Sequence, residues 1–534
     1  MSNNNVLHQL QTRLSGGARV VTRDAGGPLY HRAVQQSPDA VVYCACEADV
    51  AATVHLASTT RPVVHVTARS GGHSYNGYSS RTRAAGGWVV DVSMLNKCHQ
   101  VDDDIPEILV VGAGLKLHRL NAELLKRKLS FPKGICRGVA VGGHLQSSAF
   151  GPLRISHGSG LDRVVEFRIV LADGRIIVAR RDNAHHELFF CVLGGFPGSY
   201  GIVTEYTIQC IPGSECPHFM MFTRRWSLPE LDVGQVSKII EHAQRINQQQ
   251  EQADQRDCAV FLCFGLTHMD PLDILPDTQW GHVSNITMIR PDAGISKAVV
   301  DMVLSWTGID SGKFTPVHYQ DMLAPFDRMS TGLQVSTMLD TAMGAAVTSL
   351  FGSSMSFHTN LAASYNNPEG HRHLVVGNHS NQWFDQTAIH TMSSEIMRRL
   401  WERQPFSLQL MYMHQSSQWC RNKHLNMLAW RDARVMCDDW VYFRPEDTKP
   451  DVIMDAMESF HHFFSWSTVP NTTMRLETFM GPDSDRRPPP HERTMKELRA
   501  FFPKPGDLER LFWLKRQVDP MSIFDGMGTI SACR

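Results

Sequence analysis

Short apolar runs separated by glycine-rich turns dominate roughly the first 215 residues. Val63, Val64 and Val66 lead from one such run into Arg69-Ser70-Gly71-Gly72-His73-Ser74-Tyr75. Ile108, Leu109, Val110 and Val111 form another, ending at Gly112-Ala113-Gly114. Both are short enough and β-branched enough to read as strands. Between Leu115 and Leu129, leucines at 117, 120, 124 and 125 follow the spacing of an amphipathic helix. From Val164 to Ala179, apolar residues alternate on either side of Asp173-Gly174, a dipeptide suited to a tight hairpin turn. Strands and helices alternate here without the long period of a doubly wound sheet, so an α+β domain is predicted.

After residue 216 the texture changes. Met, Trp and His become common and turn signals thin out, which predicts a second domain that shapes a pocket. Residues 484–491, Ser-Asp-Arg-Arg-Pro-Pro-Pro-His, read as a surface connector. Asp507–Val518 reads as a short amphipathic helix that Pro520 keeps from extending. No internal repeat and no low-complexity tract interrupts the chain.

Composition narrows the classes. A chain of 534 residues is too long for one core and suits two or three domains. Its 42% hydrophobic and 20% charged residues are ordinary for a globular protein. A net charge of −1 offers nothing for capture of nucleic acid or an anionic membrane. No run approaches the roughly 18 apolar residues of a membrane span, and the first residues lack the charged start and apolar run of a secretory signal. Twelve cysteines are too few for a disulfide framework. The expectation is a cytoplasmic protein with reduced thiols and a small-molecule partner. The 26 histidines are scattered and form no zinc pattern, so no metal is expected.

Three motifs carry candidate chemistry. In Arg69-Ser70-Gly71-Gly72-His73-Ser74, paired glycines let the backbone turn tightly and present N–H groups to a phosphate. The second runs from Gly134-Ile135-Cys136 to Gly142-Gly143-His144. A lone cysteine such as Cys136 is more often a small buried apolar residue than a reactive one. The third, Gly194 to Thr204, is a glycine-rich loop that enters a β-branched strand at Gly201-Ile202-Val203.

The order and spacing of these motifs resemble the FAD-linked oxidases of the vanillyl-alcohol oxidase superfamily, in the berberine bridge enzyme-like branch. RSGGHSYNGYSS, GICRGVAVGGH and SYGIVTEY follow one another as in that branch. Residues 37–57 resemble its opening Pro-x-x-Val…Asp-Val segment, 88–96 and 110–114 fit its next strands, and DLERLFWLKRQVDPMSIF resembles its closing helix and Asp-Pro-x-x-x-Phe. The resemblance implies a two-part FAD-binding domain of the PCMH type, and a substrate domain built on an antiparallel sheet covered by helices. Residues 1–215 would form the first part of the FAD-binding domain and 216–499 the substrate domain. Residues 500–534 would return to the FAD-binding domain. It further implies FAD held by two covalent bonds, His73 to the 8α-methyl and Cys136 to carbon six of the ring. Arg69, Ser70, Gly71, Gly72, Ser74, Gly142, Gly143, His144, Gly201, Ile202 and Val203 would line the cofactor. The implied reaction is oxidation of an alcohol, sugar or secondary metabolite, with molecular oxygen as acceptor.

The chain departs from the branch in three places. Gln146-Ser147-Ser148-Ala149 stands where glycines are usual, Phe196-Pro197 stiffens the third loop, and 475–479 lack the usual Tyr-x-Asn. Hydride removal works best with a base of suitable pKa beyond the substrate. Candidates are Tyr412, His414 and Glu477, with His379 as a fourth. Tyr412 and His414 alternate and would share a strand face. Arg431 and Asp432 read as an internal ion pair. The alternatives are a flavin dehydrogenase with another acceptor, a cyclase or isomerase that keeps FAD without redox chemistry, and a flavin-free binding protein.

Overall fold

The computed structural model describes residues 3–22, 37–74, 78–81, 86–134, 136–151, 153–216, 218–252, 258–265, 282–289, 317–318, 372–402, 406–412, 417–443, 472–474, 498–499, 502, 504–526 and 529–530. The architecture is α+β. Helix α1 (Asn3–Gln11) and strand β1 (Arg19–Thr22) precede β2 (Ala40–Tyr43), α2 (Glu47–Thr59), β3 (Val66–Arg69) and β4 (Trp88–Asp91). These strands form one sheet in the order β1-β2-β4-β3, with β4 parallel to both neighbours. Ala40, Val41, Val42, Trp88, Val89 and Val90 are all buried, as expected of parallel strands covered on both faces. The first motif leaves the carboxyl end of β3, the edge at which such sheets present their loops to ligands.

A second sheet follows. Strands β5 (Cys98–Gln100) and β6 (Ile108–Gly112) lead to α3 (Leu117–Lys126), α4 (Val141–Ser147) and α5 (Arg154–His157). Then come β7 (Val164–Val170), β8 (Ile176–Arg180), α6 (His186–Val192) and β9 (Ile202–Gln209). The antiparallel order is β5-β6-β9-β7-β8. The β7–β8 hairpin turns on Gly174, whose φ of +85° favours glycine. In α3, Leu117, Leu120 and Leu124 are buried while Leu125 faces outward; the helix holds all four leucines and ends at Lys126, before Leu129.

The third sheet belongs to the middle of the chain. Its elements are β10 (His218–Ser227), α7 (Val233–Gln252), β11 (Cys258–Gly265), β12 (His282–Ile289), β13 (Val317–His318), β14 (Arg372–Ser380), α8 (Gln386–Trp401), β15 (Phe406–Tyr412), α9 (Gln418–Arg421), β16 (Val435–Phe443) and β17 (Thr472–Met474). The antiparallel order is β13-β10-β12-β11-β15-β16-β14-β17. Helices α7 and α8 pack together, Ser237 Oγ donating to Ser393 Oγ at 3.0 Å. The side-chain amide of Gln244 exchanges two hydrogen bonds of 2.9 Å with the Phe384 backbone.

Two buried ionic clusters tie distant parts of the chain. Helix α10 (Asp507–Val518) carries Lys515, whose Nζ donates to Asp519 at 2.7 Å, Ser199 O at 2.7 Å and Phe524 O at 2.9 Å. Phe524 forms a parallel bridge with Val66 of β3, so the C-terminal segment is bound to the first sheet and the third loop together. The second cluster centres on Asp162. Arg431 forms its ion pair with Asp162, not with the adjacent Asp432 that the sequence suggested. Asn422 and Asn426 donate to the same carboxylate at 3.1 and 2.9 Å. Asp432 instead meets Lys423 at 2.7 Å and Lys504 at 3.5 Å. The correction has a simple cause: Arg431 is fully buried and needs a buried acceptor, whereas Asp432 is part-exposed and reaches surface lysines.

Candidate active site

The first two motifs interlock through close contacts at three glycines. A Cβ on Gly71 would lie 2.7 Å from Ala140 N, and one on Gly142 would lie 3.0 Å from Ser70 Oγ. One on Gly138 would lie 3.4 Å from the His73 ring. Side chains at 71 and 142 would therefore force the loops apart, so the glycines are required by the approach itself. Gly143 N–H donates to Ser70 Oγ at 3.3 Å. The contact at Gly138 sets His73 against the turn that Cys136 opens, and both residues are half-buried.

The third loop joins through Gln146, in α4. Its Nε2 donates to Gly142 O at 3.0 Å and its Oε1 accepts from Gly198 N–H at 3.1 Å, while its own carbonyl accepts from Gly194 N–H. Tyr206 donates its hydroxyl to the same Gly142 carbonyl at 2.8 Å. Burial raises the Tyr206 pKa, which keeps the phenol protonated and donating. Two departures noted in the sequence are thereby explained in part. Gln146 replaces loop flexibility with a side-chain bridge, while Ala149 and Phe196 hold left-handed φ values of +43° and +57°, a conformation costing about 1–2 kcal/mol for non-glycine residues.

Not every residue expected at the cofactor serves it with its side chain. The Arg69 guanidinium is taken by Asp91 at 2.6 Å and stacks near Tyr43. It locks the ends of β3 and β4 and so fixes where the first motif begins. Ser74 Oγ accepts from Tyr78 N–H at 3.2 Å and shapes the turn that follows. Ile202 and Val203 are core residues paired with Val170 and Ile169, and Gly201 packs closely on the Val170 carbonyl. His144 Nε2 accepts from Gly134 N–H at 3.0 Å. Burial, reinforced by the Lys133 charge, pulls its pKa down to about 3. It is therefore a neutral pin for the Gly134–Cys136 loop.

The candidate bases fall differently. Met411 and Met436 pair across β15 and β16 and join the large core of the FAD-binding side. Tyr412 stands on the opposite face, 1% exposed, with its hydroxyl donating to Ile240 O of α7 at 3.3 Å. Burial raises its pKa, so the phenol is a poor base where it sits. His379 occupies the register position opposite Met436 and Thr473. His414 and Glu477 lie outside the described residues.

Comparison with known proteins agrees with the geometry. Residues 38–180 match the FAD binding domain family. The chain is 33% identical over 190 residues to the FAD-linked oxidoreductase pytB of Aspergillus terreus, covering 36% of this chain and 22% of that one. It is 33% identical over 150 residues to berberine bridge enzyme-like 23 of Arabidopsis thaliana, covering 28% of each. Over these stretches the chain is similar to berberine bridge enzyme-like FAD-linked oxidoreductases. The matched stretch is thus about a quarter of the length of these relatives. Over the whole chain the fold is shared with the xylooligosaccharide oxidase of Myceliophthora thermophila solved with xylobiose, at 16% identity, 98% coverage of each chain and a TM-score of 0.73.

The residues present fit FAD. Around Gly198 a Cβ would meet nothing within 4 Å, and at Gly143 only the Ser70 hydroxyl at 4.0 Å. These two positions are open, beside the tight contacts at Gly71 and Gly142. Ser70, Gly71, Gly72, Gly142 and Gly143 bring small groups and backbone amides to this region, the kind of lining that would suit a pyrophosphate. Among the described residues, no cluster of His, Cys, Asp and Glu is placed to hold a metal ion, and no helix is long and apolar enough to cross a membrane.

Proposed function

We propose that this chain binds FAD covalently through His73 and Cys136 and oxidises a small organic alcohol, sugar or secondary metabolite, with molecular oxygen as acceptor. The observation that carries the reading is the interlock of the two motif loops, which sets the His73 ring against the Cys136 turn. When bound, FAD supplies a two-electron acceptor for a hydride from the substrate carbon. The chain's own residues do the rest. Residues 1–215 with 500–534 hold the cofactor, and 216–499 cover it and receive the substrate.

Gln146 and Tyr206 fix the Gly142-Gly143 turn against the third loop, so that turn is set before the cofactor arrives. His144, neutral and accepting from Gly134, holds the start of the Cys136 turn. The substrate's hydroxyl proton needs an acceptor on the middle domain. Of the candidates, His414 and Glu477 keep that proposed role, because Tyr412 is engaged with α7. The test is peroxide release with flavin reduction on a panel of alcohols and sugars. Product without flavin reduction would speak for a non-redox isomerase, and reduction without peroxide for another acceptor.

A further inference from the structure

Two cations are buried behind the loop that carries Cys136. Lys133 is 1% exposed and Arg154 is 4% exposed. Both adjoin Gly151. A Cβ on that glycine would collide with the Lys133 carbonyl and lie 3.1 Å from Gly134 N, while Arg154 Nη1 donates to the Gly151 carbonyl at 3.4 Å. The Arg154 guanidinium lies 4.3 Å from the centroid of the Phe150 ring, and its Nη2 is buried without a hydrogen-bond partner. Among the described residues, no carboxylate forms an ion pair with it.

Burying a charge in this way is costly unless something compensates it. A nearby aromatic ring supplies only part of that compensation. Burial pulls the Arg154 pKa down to about 10, which still leaves the group charged near neutral pH. His144 in α4 is neutral, so it adds no positive charge to that of Arg154.

We infer that Arg154 is the built-in counter-charge for the flavin once it is reduced. The inference rests on the FAD reading above. A hydride carries two electrons and one proton from the substrate carbon to the flavin, which then bears one net negative charge. The substrate's hydroxyl proton leaves to the base. A fixed cation in a dry site stabilises that charge through space without touching the ring. It raises the flavin's reduction potential and so favours difficult oxidations. Arg154 is a positioning charge in this scheme, separate from the residues that bind the substrate.

The direct test is the two-electron midpoint potential of the bound flavin in the wild type, Arg154→Met and Arg154→Lys. Arg154→Met should destabilise the reduced form at least ten-fold, about 30 mV for a two-electron couple. Arg154→Lys, which keeps the charge, should stay near the wild type. Sulfite, which adds to the oxidised ring and leaves a negative charge on it, should bind Arg154→Met at least ten-fold more weakly. Should Arg154→Met fail to fold, Arg154→Gln against Arg154→Lys gives the same reading. Equal potentials in charged and uncharged variants of equal flavin content overturn the inference, as does an equal fall in both. A wild-type protein without flavin would instead defeat the cofactor reading itself.

Discussion

Replacing Asp162 by alanine should release the segment 417–434 from the FAD-binding side. Asp162 accepts from Arg431 Nη1 at 3.0 Å and also from Nη2, from two asparagine amides, and from Ser159 N–H at 3.0 Å. Arg431 is wholly buried and the Asp162 side chain is 3% exposed. Removing one member of such a pair leaves an uncompensated buried charge, at a cost of about 3–5 kcal/mol. Arg431 also lies 5.1 Å from the centroid of Trp419, whose ring is 4.8 Å from that of Trp430 at a tilt of 44°, so tryptophan fluorescence reports on the same place. Urea unfolding followed by that fluorescence gives the size of the effect, and amide hydrogen exchange shows whether 417–434 opens locally. Asp162→Leu with Arg431→Met, which removes both charges, should recover most of the loss. A loss under about 1 kcal/mol for Asp162→Ala, or a double variant no better than the single, would refute the reasoning.

Other outcomes follow from single groups. Tyr412→Phe should leave flavin reduction within about two-fold of the wild type and cost about 1 kcal/mol for the lost bond to Ile240. A fall of about 10²–10⁴-fold would place the phenol at the reacting face after all. The hydrogen bond to Asp525 raises the His65 pKa, against the effect of burial. Its contribution is complete below about pH 6.5 and is lost as pH rises through the raised folded value. The melting-temperature gap between wild type and His65→Gln should therefore be widest at low pH and close as pH rises, and a gap independent of pH would count against it. Gln146→Leu, which removes the amide's bonds to Gly142 O in its own helix and to Gly198 N–H of the third loop, should lower flavin occupancy at saturating FAD more than it lowers the melting temperature of the apoprotein. Unchanged occupancy would show that the bridge does not prepare the site for the cofactor.

What the sequence made legible was local. The Asp173-Gly174 hairpin, the leucines of α3 and the Asp507–Val518 helix rest on turn chemistry and periodicity over a few residues, and the structure has all three. The glycine motifs were legible because their backbone geometry demands glycine where loops touch. Long-range partners were not legible. Nothing near Arg431 points to an aspartate 269 positions earlier. The face on which Tyr412 lies depends on which side α7 covers, and alternation along a strand cannot tell the two sides apart. Gln146 was visible only as a missing glycine, and its bridge appears only when the third loop is in place. The buried charge of Arg154 had no signal at all, since a solvated arginine reads the same in sequence.

The central claim is the pair of covalent links, and intact mass with acid precipitation tests it most directly. Wild-type protein should keep its yellow colour in the precipitate and exceed the chain mass by one FAD, less the hydrogens lost on bonding. His73→Ala and Cys136→Ala should each retain a single link, with the flavin spectrum changed in a different way by each. A colourless precipitate under a yellow supernatant, with the bare chain mass, would contradict the claim.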